Sequence, residues 1–270
     1  AEINAIIAKG DNPADAMRKF RDEPTLRDLF ADYLERHAKV HKKSWIEDQR
    51  QFDRYMKKFS GRKLSSFQPS DFQRLHHKIG EENGNYAANR LLSLLRAMFN
   101  RAKDWGVWTK DNPTQGIRKF KEKSRDRFLQ SDELPKFFQA LQDEENEAMR
   151  DYFLISLLTG ARRANVLSMR WADINFDRKE WRIEETKSGD PQTIPLTPEV
   201  ISILKERKKQ ADSLFVFPGI GKSGHMMEPK SGWKRILTRA GLQDLRIHDL
   251  RRTLGSWQAA TGSSLPVIGK

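Results

Sequence analysis

The chain has 270 residues, and its 50 Lys and Arg against 37 Asp and Glu give a net charge of +13. Such a field favours a polyanionic partner, nucleic acid before an anionic membrane, and no apolar run is long enough to span a bilayer. The absence of cysteine excludes disulfide scaffolds, thiol nucleophiles and cysteine-based zinc sites. The N-terminus lacks a signal-peptide pattern, so a reducing cytoplasm is the expected compartment.

The positive charge is concentrated in the first half. Residues 1–127 carry 28 basic and 18 acidic residues, a net charge of +10, whereas residues 128–270 carry 22 and 19, a net charge of +3. The border, residues 117–127, holds six basic residues and no apolar periodicity. We interpret it as a basic linker between two domains, lying along a phosphate backbone rather than merely solvated.

The first half predicts four or five helices with short connections, an all-α module with a basic face. Thr25 and Asp28 have the spacing of a capping box, and Ser44 is expected to cap the following helix. The longest helix is expected over about residues 86–105, where apolar residues recur at helical spacing.

A short helix is expected from Pro69 to His77 and is ended by Gly80 and Gly84, with His76 and His77 at the surface. Basic residues of this module and of the linker are candidates for contact with nucleic acid. They are Arg50, Arg54, Lys57, Arg90, Arg96, Arg118, Lys119, Lys121 and Lys123.

The second half mixes two periodicities. Helices are expected over residues 148–158, 198–209, 228–240 and 248–260. Between the first two, alternating apolar residues and two turns predict a small antiparallel sheet of three strands. The expected fold class is mainly α with a small antiparallel sheet, an all-α domain followed by a mixed α+β domain.

Three other patterns carry little weight. The acidic residues between 132 and 147 are expected to be solvated surface rather than a metal site. His37 and His41 lack a third ligand, and the GIGKS stretch at 219–223 lacks the first glycine of a P-loop, because Val216 stands there. No metal or nucleotide site is therefore predicted.

Three short segments carry the chemistry, and each places a cation at the edge of a regular element. Arg162 stands at a helix start after a glycine, where its charge is costly unless an anion is near. His248 and Arg251 are three apart and share a helix face, and Lys187 occupies a hairpin tip. Two guanidiniums, an imidazole and an ammonium suit a phosphodiester transition state without a metal.

In this order, the segments resemble those of the tyrosine recombinases, of the phage and genomic-island integrase type. The resemblance covers nearly the whole chain. The segments are TGARRANVLSMRWADI (159–174), TKSGDPQTIPL (186–196), HDLRRTLGSWQAATG (248–262), and ANRLLSLLRAMFNRAKDWG (88–106) followed by Asn112-Pro113.

The resemblance implies a domain organisation. Residues 1–22 correspond to the remnant of an arm-type DNA-binding domain, and residues 23–116 to a core-binding domain, helical and SAM-like. The basic linker 117–127 then leads to a catalytic domain, 128–270, that is truncated at its C-terminus.

The resemblance also implies roles. Arg162 and Arg251 would clamp the scissile phosphate, Lys187 would protonate the leaving 5′-oxygen, and His248 would hydrogen-bond the phosphate or assist proton transfer. In the family a tyrosine attacks and forms a 3′-phosphotyrosine intermediate, without metal or cofactor. Asn165 stands where the family often has an acidic residue.

In the family the nucleophilic tyrosine lies at a position that would follow Lys270. Tyr152 of this chain is expected to be core. The chain is therefore expected to bind DNA without cleaving it. The implied function is that of an integrase that cleaves and rejoins DNA to integrate a phage or mobile element. A non-catalytic remnant that occupies attachment sites and a nicking topoisomerase remain alternatives.

The implied partners are double-stranded DNA attachment sites, with a host DNA-bending protein and an excisionase as further candidates. Four protomers are expected on DNA and a monomer in solution, with no membrane partner. The expected location is the bacterial cytoplasm, associated with the nucleoid.

Overall fold

The computed structural model describes residues 13–184 and 190–262. The chain divides into two compact units, residues 1–124 (unit 1) and 125–270 (unit 2). The division falls within the basic segment 117–127.

Unit 1 is helical throughout its described part. Its helices are α1 (Pro13–Asp22), α2 (Leu26–Tyr33), α3 (Trp45–Tyr55), α4 (Pro69–Asn83) and α5 (Asn85–Asp104). A π-helical turn, Leu34–Ala38, and a last turn, Lys39–His41, extend α2. The apolar faces of α2 to α5 enclose one core.

The start of α2 has the predicted capping box. The Thr25 hydroxyl accepts from the backbone N–H of Asp28, and the Asp28 carboxylate accepts from the Thr25 N–H at 2.8 Å. Ser44 stands at the predicted N-cap position of α3, but its side chain makes no capping hydrogen bond.

Of the two glycines predicted to end the fourth helix, Gly84 does so and Gly80 does not, because α4 runs through Gly80 to Asn83. Gly80 serves packing instead. A Cβ atom at position 80 would lie 2.6 Å from Cε2 of Phe120, whose ring covers this face of the helix.

His76 is buried rather than at the surface, which corrects the sequence-based expectation, whereas His77 is exposed. The ring of His76 stacks on Phe120 with centroids 4.3 Å apart, and its Nε2 lies 3.1 Å from Oδ1 of Asn89. Oδ1 is a carbonyl oxygen and can only accept, here also from the Phe120 N–H, so His76 Nε2 is the donor. Burial lowers the pKa of His76, which favours the neutral ring.

Unit 2 has six helices and a small sheet among its described residues. The helices are α6 (Leu134–Gln142), α7 (Glu147–Thr159), α8 (Arg163–Leu167), α9 (Pro198–Lys209), α10 (Lys230–Ala240) and α11 (Asp249–Ala260). The antiparallel strands β1 (Ile174–Asn175), β2 (Glu180–Ile183) and β3 (Gln192–Pro195) lie in the order β1-β2-β3.

The sheet has one inner face. Ile174 pairs with Trp181, and Trp181 pairs with Ile194, so the register places these three apolar side chains side by side on the core. The predicted fold class, mainly α with a small antiparallel sheet, is confirmed.

Helix α7 is the centre of unit 2. It packs against α6, α8, α9, α10 and α11. Tyr152, Phe153 and Ile155 on this helix are completely buried, as expected of a helix surrounded by others. The C-terminal end of α7 and the start of α11 therefore have fixed positions relative to each other.

We expect the Gly80→Ala substitution to destabilise unit 1 by about 1–3 kcal/mol, although alanine in place of a helical glycine ordinarily stabilises by about 1 kcal/mol. The new methyl group forces Phe120 away from His76 and Asn89. Urea unfolding followed by tryptophan fluorescence measures the change.

The Phe120→Ala background is the matched control. There the methyl group meets open space, and the same substitution should be neutral or stabilising. Equal destabilisation in both backgrounds would contradict the packing role of Gly80.

Candidate functional site

The site is built where the C-terminal end of α7 meets the start of α11. Gly160 ends α7 in a left-handed conformation, with φ of 58°. A Cβ atom there would lie 2.8 Å from Cδ2 of Leu254 on α11, so only glycine allows both this turn and this close approach. Arg162 follows two residues later, at the N-cap position of α8.

Arg251 reaches from α11 to the end of α7. Its Nη1 donates a hydrogen bond to the carbonyl oxygen of Gly160, which fixes the guanidinium beside the glycine turn. The pKa of Arg251 is lowered, first by partial burial and then by the charge of Arg162. The two guanidiniums thus lie within electrostatic reach of each other.

His248 occupies the N-cap position of α11 and remains accessible to solvent. Loss of water around the ring lowers its pKa, and the charges of Arg252, Arg251 and Arg162 lower it further. A neutral imidazole at neutral pH follows, able to donate one hydrogen bond and accept another.

The structure therefore brings together three of the four catalytic candidates, Arg162, His248 and Arg251. The fourth, Lys187, lies outside the described residues. It belongs to the connection between β2 and β3, whose ends Ile183 and Gln192 are paired.

A cavity of about 670 Å³ opens beside Arg251. It is bordered by the end of α7, by β3 and by Leu254, Gly255 and Gln258 on α11. Apolar residues and several polar ones line it next to the guanidinium, so a ligand on Arg251 has room on this side.

Asp249 is the residue of this site that sequence reasoning missed. It lies between His248 and Arg251 in the chain, and it is completely buried. Burial alone would raise its pKa, but hydrogen bonds from Arg125, the Arg246 N–H and Arg252 hold the pKa below its usual value. The sequence signal was an acidic residue at a helix start, inside a motif whose other members are basic.

The candidate nucleic-acid contacts of unit 1 are mostly exposed. The exposed ones are Arg50, Arg54, Lys57, Arg90, Arg118, Lys119, Lys121 and Lys123. Arg50 pairs with Glu47, and the Arg90 guanidinium lies 4.5 Å from the ring centre of Tyr86.

Arg96 is half-buried and has an internal role. Its Nη2 donates to the carbonyl oxygens of Thr114 and Ile117, at 3.2 and 3.0 Å. The guanidinium thereby anchors the chain beyond α5.

Two basic residues of the segment 117–127 are ion-paired rather than free. Arg125 pairs with Asp244 and Asp249, and Arg127 pairs with Glu133. The segment therefore offers fewer cations to a ligand than its composition suggests.

The acidic run between 132 and 147 is not uniformly solvated, which corrects the expectation from sequence. Glu144 is buried, with 3% of the residue exposed, and accepts hydrogen bonds from Arg235. Among the described residues, no group of three or more acidic or histidine side chains could hold a metal ion.

Tyr152 is core, as predicted. It is completely buried, and burial raises its pKa to about 12. Within the described part of the chain, no helix is long and apolar enough to cross a membrane.

Comparisons with known proteins agree with this architecture. The sequence profile described as "Phage integrase family" matches residues 127–270, more than half of the chain. A second profile, "Phage integrase, N-terminal domain", matches residues 22–121.

Two curated relatives illustrate the similarity. Prophage integrase IntF of Escherichia coli K12 is 35% identical over 150 residues, which cover 52% of this chain and 32% of that protein. The integrase of Salmonella phage P22 is 25% identical over 273 residues, covering 85% of this chain and 68% of the relative. The chain thus spans about a third of the length of IntF.

Solved structures share the fold. A lambda integrase dimer bound to a COC′ core site aligns with a TM-score of 0.76 at 19% identity, covering 97% of this chain and 79% of that one. The integrase of transposon Tn1549, in complex with a circular intermediate DNA, aligns with a TM-score of 0.74 at 15% identity, covering 91% and 90%.

We expect the pKa of His248 to lie below about 6.5, the value of an unperturbed imidazole, and to rise in Arg162→Gln. Removing a neighbouring cation makes the imidazolium less unfavourable. Because the folded form binds this proton less readily than the unfolded form, His248 also makes the fold less stable as the pH falls below about 6.5. NMR titration of the ring proton measures the pKa.

The control is Lys234→Gln, an equal loss of charge on the exposed side of α10. It should leave the His248 titration unchanged. A wild-type pKa above 6.5 would contradict the cationic environment described here.

Proposed function

The chain belongs to the phage integrase family, and we propose that it acts in site-specific DNA recombination through the cationic site of unit 2. The resemblance to tyrosine recombinases drawn from the motifs is confirmed at the level of the family. The proposed reaction is cleavage and rejoining of DNA strands at attachment sites, integrating a phage or mobile element.

The convergence of Arg162, His248 and Arg251 is the observation that carries this proposal. They come from segments more than 80 residues apart in the chain, yet Arg251 hydrogen-bonds the carbonyl oxygen of Gly160, two residues before Arg162, and His248 lies one helical turn before Arg251. Like charges are brought together at a cost unless an anion binds between them. A DNA phosphate, with its non-bridging oxygens, fits two guanidinium forks.

Each side chain has a defined task in the proposed reaction. Arg162 and Arg251 bind the non-bridging oxygens and stabilise the charge that develops in the transition state. His248, neutral at pH 7, hydrogen-bonds the phosphate or moves a proton. Lys187 protonates the leaving 5′-oxygen. The family's tyrosine forms a bond to the 3′-phosphate, and this covalent link retains the energy of the broken phosphodiester bond for rejoining.

Tyr152 does not fit the role of nucleophile. It is the single tyrosine of residues 125–270, and its buried hydroxyl keeps its proton at neutral pH. We therefore propose that residues 1–270 bind DNA at the phosphate site without cleaving it. This property also suits a non-catalytic protein that occupies attachment sites, which is the second candidate function.

The exposed cations of unit 1 and of the segment 118–123 support DNA as the ligand. Contacts of this kind supply affinity that falls with salt concentration and carry no sequence information. We propose that four protomers act together on DNA, as in the lambda integrase tetramer bound to a Holliday junction. A host DNA-bending protein and an excisionase are the proposed accessory partners, with residence on the nucleoid.

We expect residues 1–270 to retard a nicked attachment-site duplex in a gel and to form no covalent adduct that survives denaturation with detergent. The phosphate site is present, but Tyr152 cannot reach a phosphate from the core. A detergent-resistant adduct would contradict this, and mass spectrometry of the adduct would identify the attacking residue.

In the protein expressed from its complete coding sequence, Arg162→Ala and Arg251→Ala should each lower the strand-transfer rate by roughly 10²–10³. DNA affinity should change little, because many phosphate contacts remain. Arg54→Ala, an exposed unit 1 variant, is the comparison and should lower affinity with a much smaller loss in the rate at saturating protein. Strand transfer at the wild-type rate in either pocket variant would refute the assignment.

A further inference from the structure

We infer that Arg125 and Asp249 form a positioning pair for the phosphate site, in which the first residue of unit 2 fixes the start of α11 and so the placement of His248 and Arg251. This inference rests on the proposed function, since it concerns the same site. It assigns Arg125 a role that differs from DNA contact by a linker residue.

The pair is bidentate and buried on the acidic side. Arg125 Nε lies 3.2 and 3.0 Å from the two carboxylate oxygens of Asp249, and Nη2 lies 2.8 Å from Oδ2. The backbone N–H of Arg246 donates to the same oxygen at 2.8 Å, and Arg252 Nη1 donates to Oδ1 at 2.6 Å. Every donor in this set orients the first turn of α11.

A second contact fixes the same chain segment one helical turn further along. The backbone N–H of Leu129 donates to Oγ1 of Thr253 at 2.9 Å, and this hydroxyl donates to the carbonyl oxygen of Asp249 at 2.9 Å. Thr253 and Leu129 are both completely buried. Residues 125–129 thus hold two successive turns of α11.

The pairing also decides which cations stay available for a ligand. A buried carboxylate needs a counter-charge, and one that loses its partner binds another nearby cation instead. Arg125 and Arg252 meet that need for Asp249, so Arg162 and Arg251 are not drawn into an internal ion pair. Without Arg125, Asp249 would compete with a phosphate for the guanidiniums of the site.

The chain contains a matched control two residues away. Arg127 pairs with Glu133, and the Arg125 and Arg127 side chains are 19% and 20% exposed. Both are internal arginines of the same segment, but Glu133 precedes α6, and among the described residues no hydrogen bond or ion pair joins it to α11. Substituting either arginine removes one charge. At Arg125 the loss includes the pair with buried Asp249 and a second pair with exposed Asp244, whereas at Arg127 it is the half-buried pair with Glu133.

The test is binding of inorganic phosphate at pH 7.5, followed through the NMR signals of the His248 ring. We expect Arg125→Gln to weaken phosphate binding about tenfold and to raise the pKa of His248, because Asp249 is less neutralised. Arg127→Gln should stay within twofold of wild type with an unchanged His248 pKa. Addition of Asp249→Asn to Arg125→Gln should recover part of the lost affinity, since it removes the unpaired charge.

The outcomes separate the two hypotheses. If phosphate leaves the wild-type His248 signals unchanged, the proposed phosphate site is wrong. If wild type responds but Arg125→Gln and Arg127→Gln behave alike, the site stands and the positioning pair is overturned. Should Arg125→Gln fail to fold, Arg125→Lys keeps the charge without the fork, and a phosphate affinity equal to wild type would overturn the inference.

Discussion

Repulsion between the guanidiniums of Arg162 and Arg251 is the constraint on which the proposed phosphate site depends. Burial lowers the pKa of Arg251, and the charge of Arg162 lowers it further; the pKa of His248 is lowered by burial first and then by the surrounding arginines. Like charges therefore lie close together at this site. The carbonyl oxygen of Gly160 stabilises Arg251 by accepting a hydrogen bond from its guanidinium. The neighbouring charged residues are paired with partners of their own. Because this electrostatic repulsion is present before a ligand arrives, binding of an anion reduces it and requires no rearrangement of the site.

Much of the fold could be predicted because local signals agreed with the tertiary structure. The helix Pro198–Lys209 has the predicted bounds, since Thr197 caps it and Pro198 stands at its first turn. The three strands follow from alternation and two turns. The segments that carry Arg162 and His248 could be recognised by motif, and the structure places both residues at the N-cap of a helix.

The errors have a common cause, which is a partner distant in sequence. Gly80 looked like a helix end, but Phe120 requires it inside a helix. His76 looked solvated, but Asn89 and Phe120 bury it, and Glu144 looked solvated until α10 supplied Arg235. Asp249 escaped notice because its role depends on Arg125, 124 residues earlier in the chain. Composition counts cations, but only the fold separates Arg96 and Arg125, which bind internal acceptors, from Lys121 and Lys123, which face solvent.

The basic segment 117–127 is eleven residues long, but the part of it that can act as a flexible tether between the units is shorter. Asn89 donates hydrogen bonds to the carbonyl oxygen of Phe120 and to the side chain of Glu122, and Arg125 pairs with Asp249. Among contacts within residues 13–184 and 190–262, none anchors Lys123 or Ser124 in this way. Three residue steps span at most about 11 Å. For two units that bind one DNA as proposed, so short a tether keeps the local concentration of the second unit high once the first is bound. Lengthening it would weaken the joint grip on DNA without altering a single contact to phosphate.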